Sequence, residues 1–191
     1  MFRLIKTLII ISIMSVFLIT AGCTHYSKVP DYSLHSQPSD YVMANKIDLS
    51  IALFQSEEFR KAKGEIHVAG DTFLLEIGQQ LAKNSNELAS ILFKNVITTD
   101  AAVGKTNGRI DALLTPRVVA FEKTIIFLEW KLEDKENNLI WVDTVKGEGK
   151  ATTPQKDEET NRMLLSDLFR NSYQAMKSSP EIRKFADALK K

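Results

Sequence analysis

The chain has 191 residues, with 25 basic and 24 acidic side chains, three histidines and one cysteine. A balance this close to neutral gives no ground for a nucleic-acid partner or a polybasic membrane patch. A single cysteine excludes an intrachain disulfide, so a domain of this ordinary size must rest on an apolar core.

Residues 1–22 hold Arg3 and Lys6, no acidic residue, and an uncharged run from Leu8 to Ile19. A basic start, an apolar centre of this length and small residues at its end are the parts of a secretory signal. The run is shorter than the ~20 residues of a membrane span. Adding Thr20, Ala21 and Gly22 brings it closer, so an uncleaved N-terminal anchor stands as the alternative. The leader carries two of the 25 basic residues and none of the 24 acidic ones, which leaves 23 against 24 in residues 23–191.

Ala21-Gly22-Cys23 resembles the lipobox of bacterial membrane lipoproteins. Thr20 stands where that pattern has leucine, and comparable bulk sits one place earlier, at Ile19. The resemblance implies a diacylglyceryl group on the Cys23 thiol, cleavage between Gly22 and Cys23, and acylation of the new amino terminus. A free or buried cysteine is the alternative, but an unpaired thiol is awkward in an oxidising compartment. Two or three acyl chains hold a protein on a bilayer almost permanently, whereas one is marginal. In enterobacterial lipoproteins an aspartate after the cysteine favours inner-membrane retention. Thr24 there implies the outer membrane, on its periplasmic face, with the inner membrane as the alternative.

Residues 23–45, with Pro30, Pro38 and several serines, show no sustained period and read as a lipidated N-terminus and flexible tether. Tyr26, Tyr32 and Tyr41 are the residues by which this tether would dock if it docks at all. A single domain is expected over 46–191. Ile47, Leu49, Ile51 and Leu53 alternate as one face of a half-buried strand. Residues 55–63 read as a loop or short helical turn, and 64–70 as a short strand. Asp71 is placed to cap a helix over 72–95, whose apolar face carries Leu74, Ile77, Leu81, Leu88, Ile91 and Leu92. Asn84-Ser85-Asn86 is a weak point within it. Val96 to Thr99 begins a strand, and Gly104 to Gly108 is a turn.

Pro116 argues for a strand start or an edge, so the next strand is placed at 117–123. Residues 124–133 alternate, with Ile126, Leu128, Trp130 and Leu132 inward and Phe127, Glu129, Lys131 and Glu133 outward. Asp134 to Asn138 is turn chemistry, and the return strand over 139–150 brings Trp141 near Trp130. Asp157, Glu158 and Glu159 suit a helix N-terminus. That helix is expected over 157–177, broken at Pro180, with a short terminal helix over 181–190.

The chemical motifs fail one by one. Gly104-Lys105-Thr106 lacks the glycine five residues upstream that a phosphate loop needs, since position 99 is Thr99. Gly147 and Gly149 follow a strand, but Thr152 breaks the dinucleotide fingerprint, and the glycines read as a bend or end of the strand. His25, His35 and His67 form no zinc-like spacing. Glu129 and Glu133, with Lys131 between them, read as an exposed mixed-charge face rather than paired catalytic acids. No nucleophile signature stands out. Trp130 and Trp141 read as core, whereas Phe127 falls on the solvent side and is a candidate partner surface.

The order of elements predicts an α+β domain: a mainly antiparallel sheet, two longer helices on one face, and a short C-terminal helix. The early strand, the apolar helix around Leu74–Leu92, the Trp130/Trp141 hairpin and the Ser178-Ser179-Pro180 to Phe185 ending together resemble small periplasmic lipoproteins of the YajG-like group. The layout is also similar to lipoprotein subunits of export and lipopolysaccharide-assembly machines. These resemblances imply a non-enzymatic envelope protein. It would touch the bilayer through acyl chains on Cys23 and bind another envelope protein, with no cofactor beyond the covalent lipid. The alternative is a lipid or small-ligand carrier with a pocket between helix 72–95 and the sheet. A third class, an enzyme, would require a cleft of clustered titratable groups.

Overall fold

The structure is a computed structural model. It describes residues 24–27, 29–37, 40–41, 45–68, 71–99, 110–122, 124–149 and 157–190. In chain order the strands are β1 (Thr24–Ser27), β2 (Ile47–Phe54), β3 (Lys63–Val68), β4 (Asp71–Glu76), β5 (Phe93–Thr99), β6 (Ala112–Glu122), β7 (Ile125–Asp134) and β8 (Leu139–Glu148). The helices are α1 (Glu57–Arg60), α2 (Gly78–Leu92), α3 (Asp157–Ser178) and α4 (Pro180–Ala188), with a 3₁₀ turn at Leu34–Ser36. The α+β class holds. A five-stranded sheet runs β5-β2-β6-β7-β8, and a three-stranded sheet runs β1-β4-β3. Its long ladders, β6–β7 and β7–β8, are antiparallel, but β2 pairs in parallel with both β5 and β6, so the large sheet is mixed.

The core lies between the large sheet and its helices. Ile126, Leu128, Trp130 and Leu132 are fully buried, as their alternation requires, and Leu165, Leu168 and Phe169 of α3 are equally buried in the same core. Trp130 Nε1 donates to Ser172 Oγ at 2.9 Å, and that hydroxyl donates to the Leu168 carbonyl at 2.8 Å. The indole is thus buried without an unpaired donor. Gly147 explains how closely α3 approaches β8: a Cβ there would lie 2.5 Å from Leu168 Cβ and 2.8 Å from the Leu164 carbonyl oxygen. The glycine is a packing device, and the strand continues past it to Glu148.

The β7–β8 turn is held by Asp134. Its Oδ1 accepts the backbone N–H groups of Glu136 at 2.9 Å and Asn138 at 2.8 Å, and its Oδ2 accepts Asn138 Nδ2 at 2.9 Å. These bonds, that from the Asn138 side chain first, hold its carboxyl below the usual carboxylate range. Asn137 takes φ 65°, the left-handed conformation asparagine tolerates. At the other break, Ser179 Oγ accepts Ile182 N–H at 3.2 Å, and Pro180 occupies the first turn of α4. The residue that ends one helix therefore starts the next.

Several expectations are corrected. The helix expected over 72–95 begins only at Gly78, because residues 71–76 are β4, paired with both β1 and β3. Pairing on two sides outweighs the helical spacing of Leu74 and Ile77. Asp71 is therefore not the cap; Ile77 precedes the helix with no side-chain cap. Gly78 is needed at its start because a Cβ would lie 2.5 Å from the Ala62 nitrogen and the Arg60 carbonyl oxygen. Asn84-Ser85-Asn86 does not break the helix, since Asn84 and Ser85 are turned into the interior. The strand expected from 117 starts at Ala112. Pro116 is tolerated inside it because β2 pairs β6 only over Ala112–Leu114, which leaves β7 as the one strand paired at Pro116 among the described residues.

The expected tether is the largest change. Thr24–Ser27 forms β1 against β4, and Tyr32, Leu34 and Tyr41 are all buried in the core. The Tyr32 carbonyl accepts Gln80 Nε2 at 2.5 Å and Asn84 Nδ2 at 2.8 Å. The Glu87 carboxylate accepts Leu34 N–H at 2.7 Å and Ser33 Oγ–H at 3.1 Å, and Lys83 pairs with Asp31. Residues 31–36 are thus a strap bound along α2. The Tyr41 ring then meets Tyr173 of α3 edge-on, with centroids 5.5 Å apart.

Candidate functional site

The large sheet has two edges, and they differ. On β8 three backbone groups over residues 144–148 are taken by side chains. Asp143 Oδ1 accepts Thr144 N–H at 2.8 Å, Asn171 Nδ2 donates to the Lys146 carbonyl at 2.7 Å, and Asp167 Oδ2 accepts Glu148 N–H at 3.0 Å. These three bonds obstruct an incoming strand over this stretch. On the other side β5 pairs only with β2 among the described residues. It exposes Lys94, Asn95, Ile97 and Thr98, with Ile97 48% exposed. Lys94 Nζ bonds Asp48 Oδ1 at 3.0 Å, and Asn95 Nδ2 bonds Ser50 Oγ at 3.0 Å. Both contacts turn back to β2, and Thr98 Oγ1 bonds Asn86 Oδ1 of α2 at 2.5 Å; among the described residues no strand pairs with the outer edge of β5.

An exposed edge strand is a template for pairing with another chain. The sequence flags Val96–Thr99 as β-forming but carries no sign that this strand lies at an edge. Phe127 keeps the register expected of it, opposite Ala120 and Lys146 on the sheet face away from Trp130, but it is half-buried rather than exposed. Glu129 binds Arg117 at 3.1 Å, and Glu133 binds Lys131 at 2.8 Å, so each acid has a cation rather than the other as partner. His25 and His35 are exposed, and His67 lies in β3. Among the described residues no three of His, Cys, Asp or Glu are placed to hold a metal ion.

The pocket expected between α2 and the sheet does not coincide with any described cavity. That interface is occupied by Leu81, Leu88 and Leu92 with Leu49, Ile51 and Leu53, all at most 1% exposed. One groove of about 370 Å³ lies instead beside α1, lined by Phe59, Lys61, Lys63, Arg117 and Val118. Cys23, Gly22 and the Gly104-Lys105-Thr106 turn lie outside the described residues. No described helix is long and apolar enough to cross a membrane.

No family model and no curated protein matches the chain. Its fold is similar to the crystal structure of protein XCC0632 from Xanthomonas campestris, of the family DUF330. The TM-score is 0.53 at 11% identity, over 88% of this chain and 99% of that one. A second crystal structure, of an uncharacterized protein, aligns over 83% of this chain and 99% of its own with a TM-score of 0.40 and 14% identity. At such identities the first likeness concerns the fold alone, and the second is too distant to add to it.

Proposed function

We propose that the chain is a lipid-anchored, non-enzymatic domain of the bacterial envelope that binds another envelope protein by strand addition to β5. Acyl chains on Cys23 hold it at the periplasmic face of the outer membrane. The observation that carries the binding role is the contrast between the two sheet edges. Side chains obstruct β8 over residues 144–148, whereas β5 presents an outer edge beside a half-exposed Ile97. In strand addition, main-chain hydrogen bonds supply affinity and alternate side chains supply specificity. Ile97 is the side chain placed for the second task.

Two experiments test this reading. Cys23→Ser should abolish labelling by radioactive palmitate, and persistent labelling would overturn the anchor. A photocrosslinker at Ile97 in intact cells should give a discrete adduct that a charge introduced at Asn95 removes without lowering thermal stability. The same probe at Thr144 should give none. Equal adducts from both edges would reject strand addition at β5.

A further inference from the structure

We infer that the small sheet seats directly on the bilayer interface, with Tyr26 as an interfacial side chain; this rests on the lipid anchor proposed above. Cys23 is one peptide bond from Thr24, the first residue of β1. β1 is held in register by β4 and pinned where Asn161 Nδ2 donates to Ser27 Oγ at 3.1 Å. The strap then follows with Tyr32 and Leu34 buried. No slack separates the acylated residue from the folded domain.

The distances suit this placement. Three residues of strand span ~10 Å at about 3.3 Å each. The polar zone of one leaflet is ~5–8 Å deep, from the difference between total and hydrocarbon thickness. With the acyl chains of Cys23 in the hydrocarbon, the Tyr26 side chain lies within reach of that zone. Tyr26 is 76% exposed, the most exposed of the large apolar side chains described. It alternates with Ser27, which is 8% exposed, and shares its register position with half-buried Leu74. A tyrosine with an apolar ring and a wet hydroxyl is the side chain that bilayer interfaces select. Of the charges nearby, Lys63 and Glu76 pair at 2.6 Å, and Glu65 lies exposed in the cross-strand row of Leu74. The ring and the acyl chains therefore do the seating, without a basic patch.

The test keeps Tyr26 and uses the full chain carrying Glu65→Cys, at the exposed position that shares the cross-strand row of Tyr26 and Leu74, made in a host that lipidates it. Lipid occupies Cys23, so the new thiol is the one that takes an environment-sensitive fluorophore. The aqueous baseline is the same label on the Cys23→Ser chain in solution. On phosphatidylethanolamine vesicles the emission should shift to the blue, iodide should lose its access, and nitroxide lipids labelled near the headgroup should quench. Protein that floats with the vesicles but keeps the aqueous emission and full iodide access overturns the seating and leaves the anchor standing. Loss of iodide access without nitroxide quenching marks a protein neighbour and also overturns it. Failure to float overturns the anchor and the seating with it.

Discussion

Leu34→Ala separates a docked strap from a free leash. On a leash a leucine is solvated and its truncation is close to silent. Here Leu34 is 0% exposed, and its own N–H is bound by Glu87. Buried Leu→Ala changes cost about 2–5 kcal/mol, depending on how far the site collapses. Leu34 sits on a short segment held from one side by α2, so the strap can partly settle into the void. That places the expected loss at ~2–3 kcal/mol, the lower part of the range. With a urea slope of roughly 1–3 kcal/mol/M, the midpoint should fall by about 1 M or more at unchanged slope. The assay is equilibrium unfolding of the Cys23→Ser chain, read by fluorescence of buried Trp130 and Trp141. Glu87→Gln should cost about 1–2 kcal/mol through loss of its charge-assisted bonds. The double variant should lose less than the sum of the two, because both changes loosen the same segment. A Leu34→Ala loss under ~0.5 kcal/mol, the range of plain surface changes, would refute the docking of residues 31–36.

Gly147→Ala should lower stability by ~1–3 kcal/mol, because the new methyl meets Leu168 and the α3 backbone; chemical denaturation checks it. Ser172→Ala should cost about 1–3 kcal/mol by stranding the Trp130 indole N–H, with an accompanying change in tryptophan emission. Asn137→Val should cost ~1–2 kcal/mol at the left-handed turn position, whereas Asn137→Gly should be close to neutral; paired melting curves distinguish them. Burial, then the neighbouring Tyr32 hydroxyl, pushes the Tyr41 phenol far above its ordinary value of 10.0. The unfolded chain therefore releases this proton first. Stability is fully present below pH ~10 and falls as the pH rises beyond it, and Tyr41→Phe should flatten that fall in denaturation measured across alkaline pH.

Local rules made the hairpin and the last two helices legible. Residues 125–134 alternate strictly, Asp134 to Asn138 is turn chemistry, and Ser179-Pro180 is a stop and a start together. Each of these signals is complete within about ten residues of chain. The face of the sheet that carries Trp130 followed from the same alternation. The errors share one cause, which is pairing with something remote in sequence. Residues 71–76 have helical spacing but are claimed by β1 and β3. Asn84 looks like a helix weakness but is buried, with its amide donating to the Tyr32 carbonyl 52 positions upstream.

The proposed site divides in the same way. Cys23 stands out from local sequence alone, because an apolar run, two small residues and a cysteine are contiguous. The edge at β5 is invisible there, because being an edge is a property of strand order and of what the fold leaves unpaired. Period puts Phe127 on the face away from Trp130, but its half-burial depends on neighbours that two strands supply. The alternation, the turn residues and the helix stop are thus determined by the chain itself, since they need only backbone propensity and side-chain period. The strap, the strand order and the obstructed and open edges were decided by tertiary structure alone, since they depend on which distant backbone groups find partners.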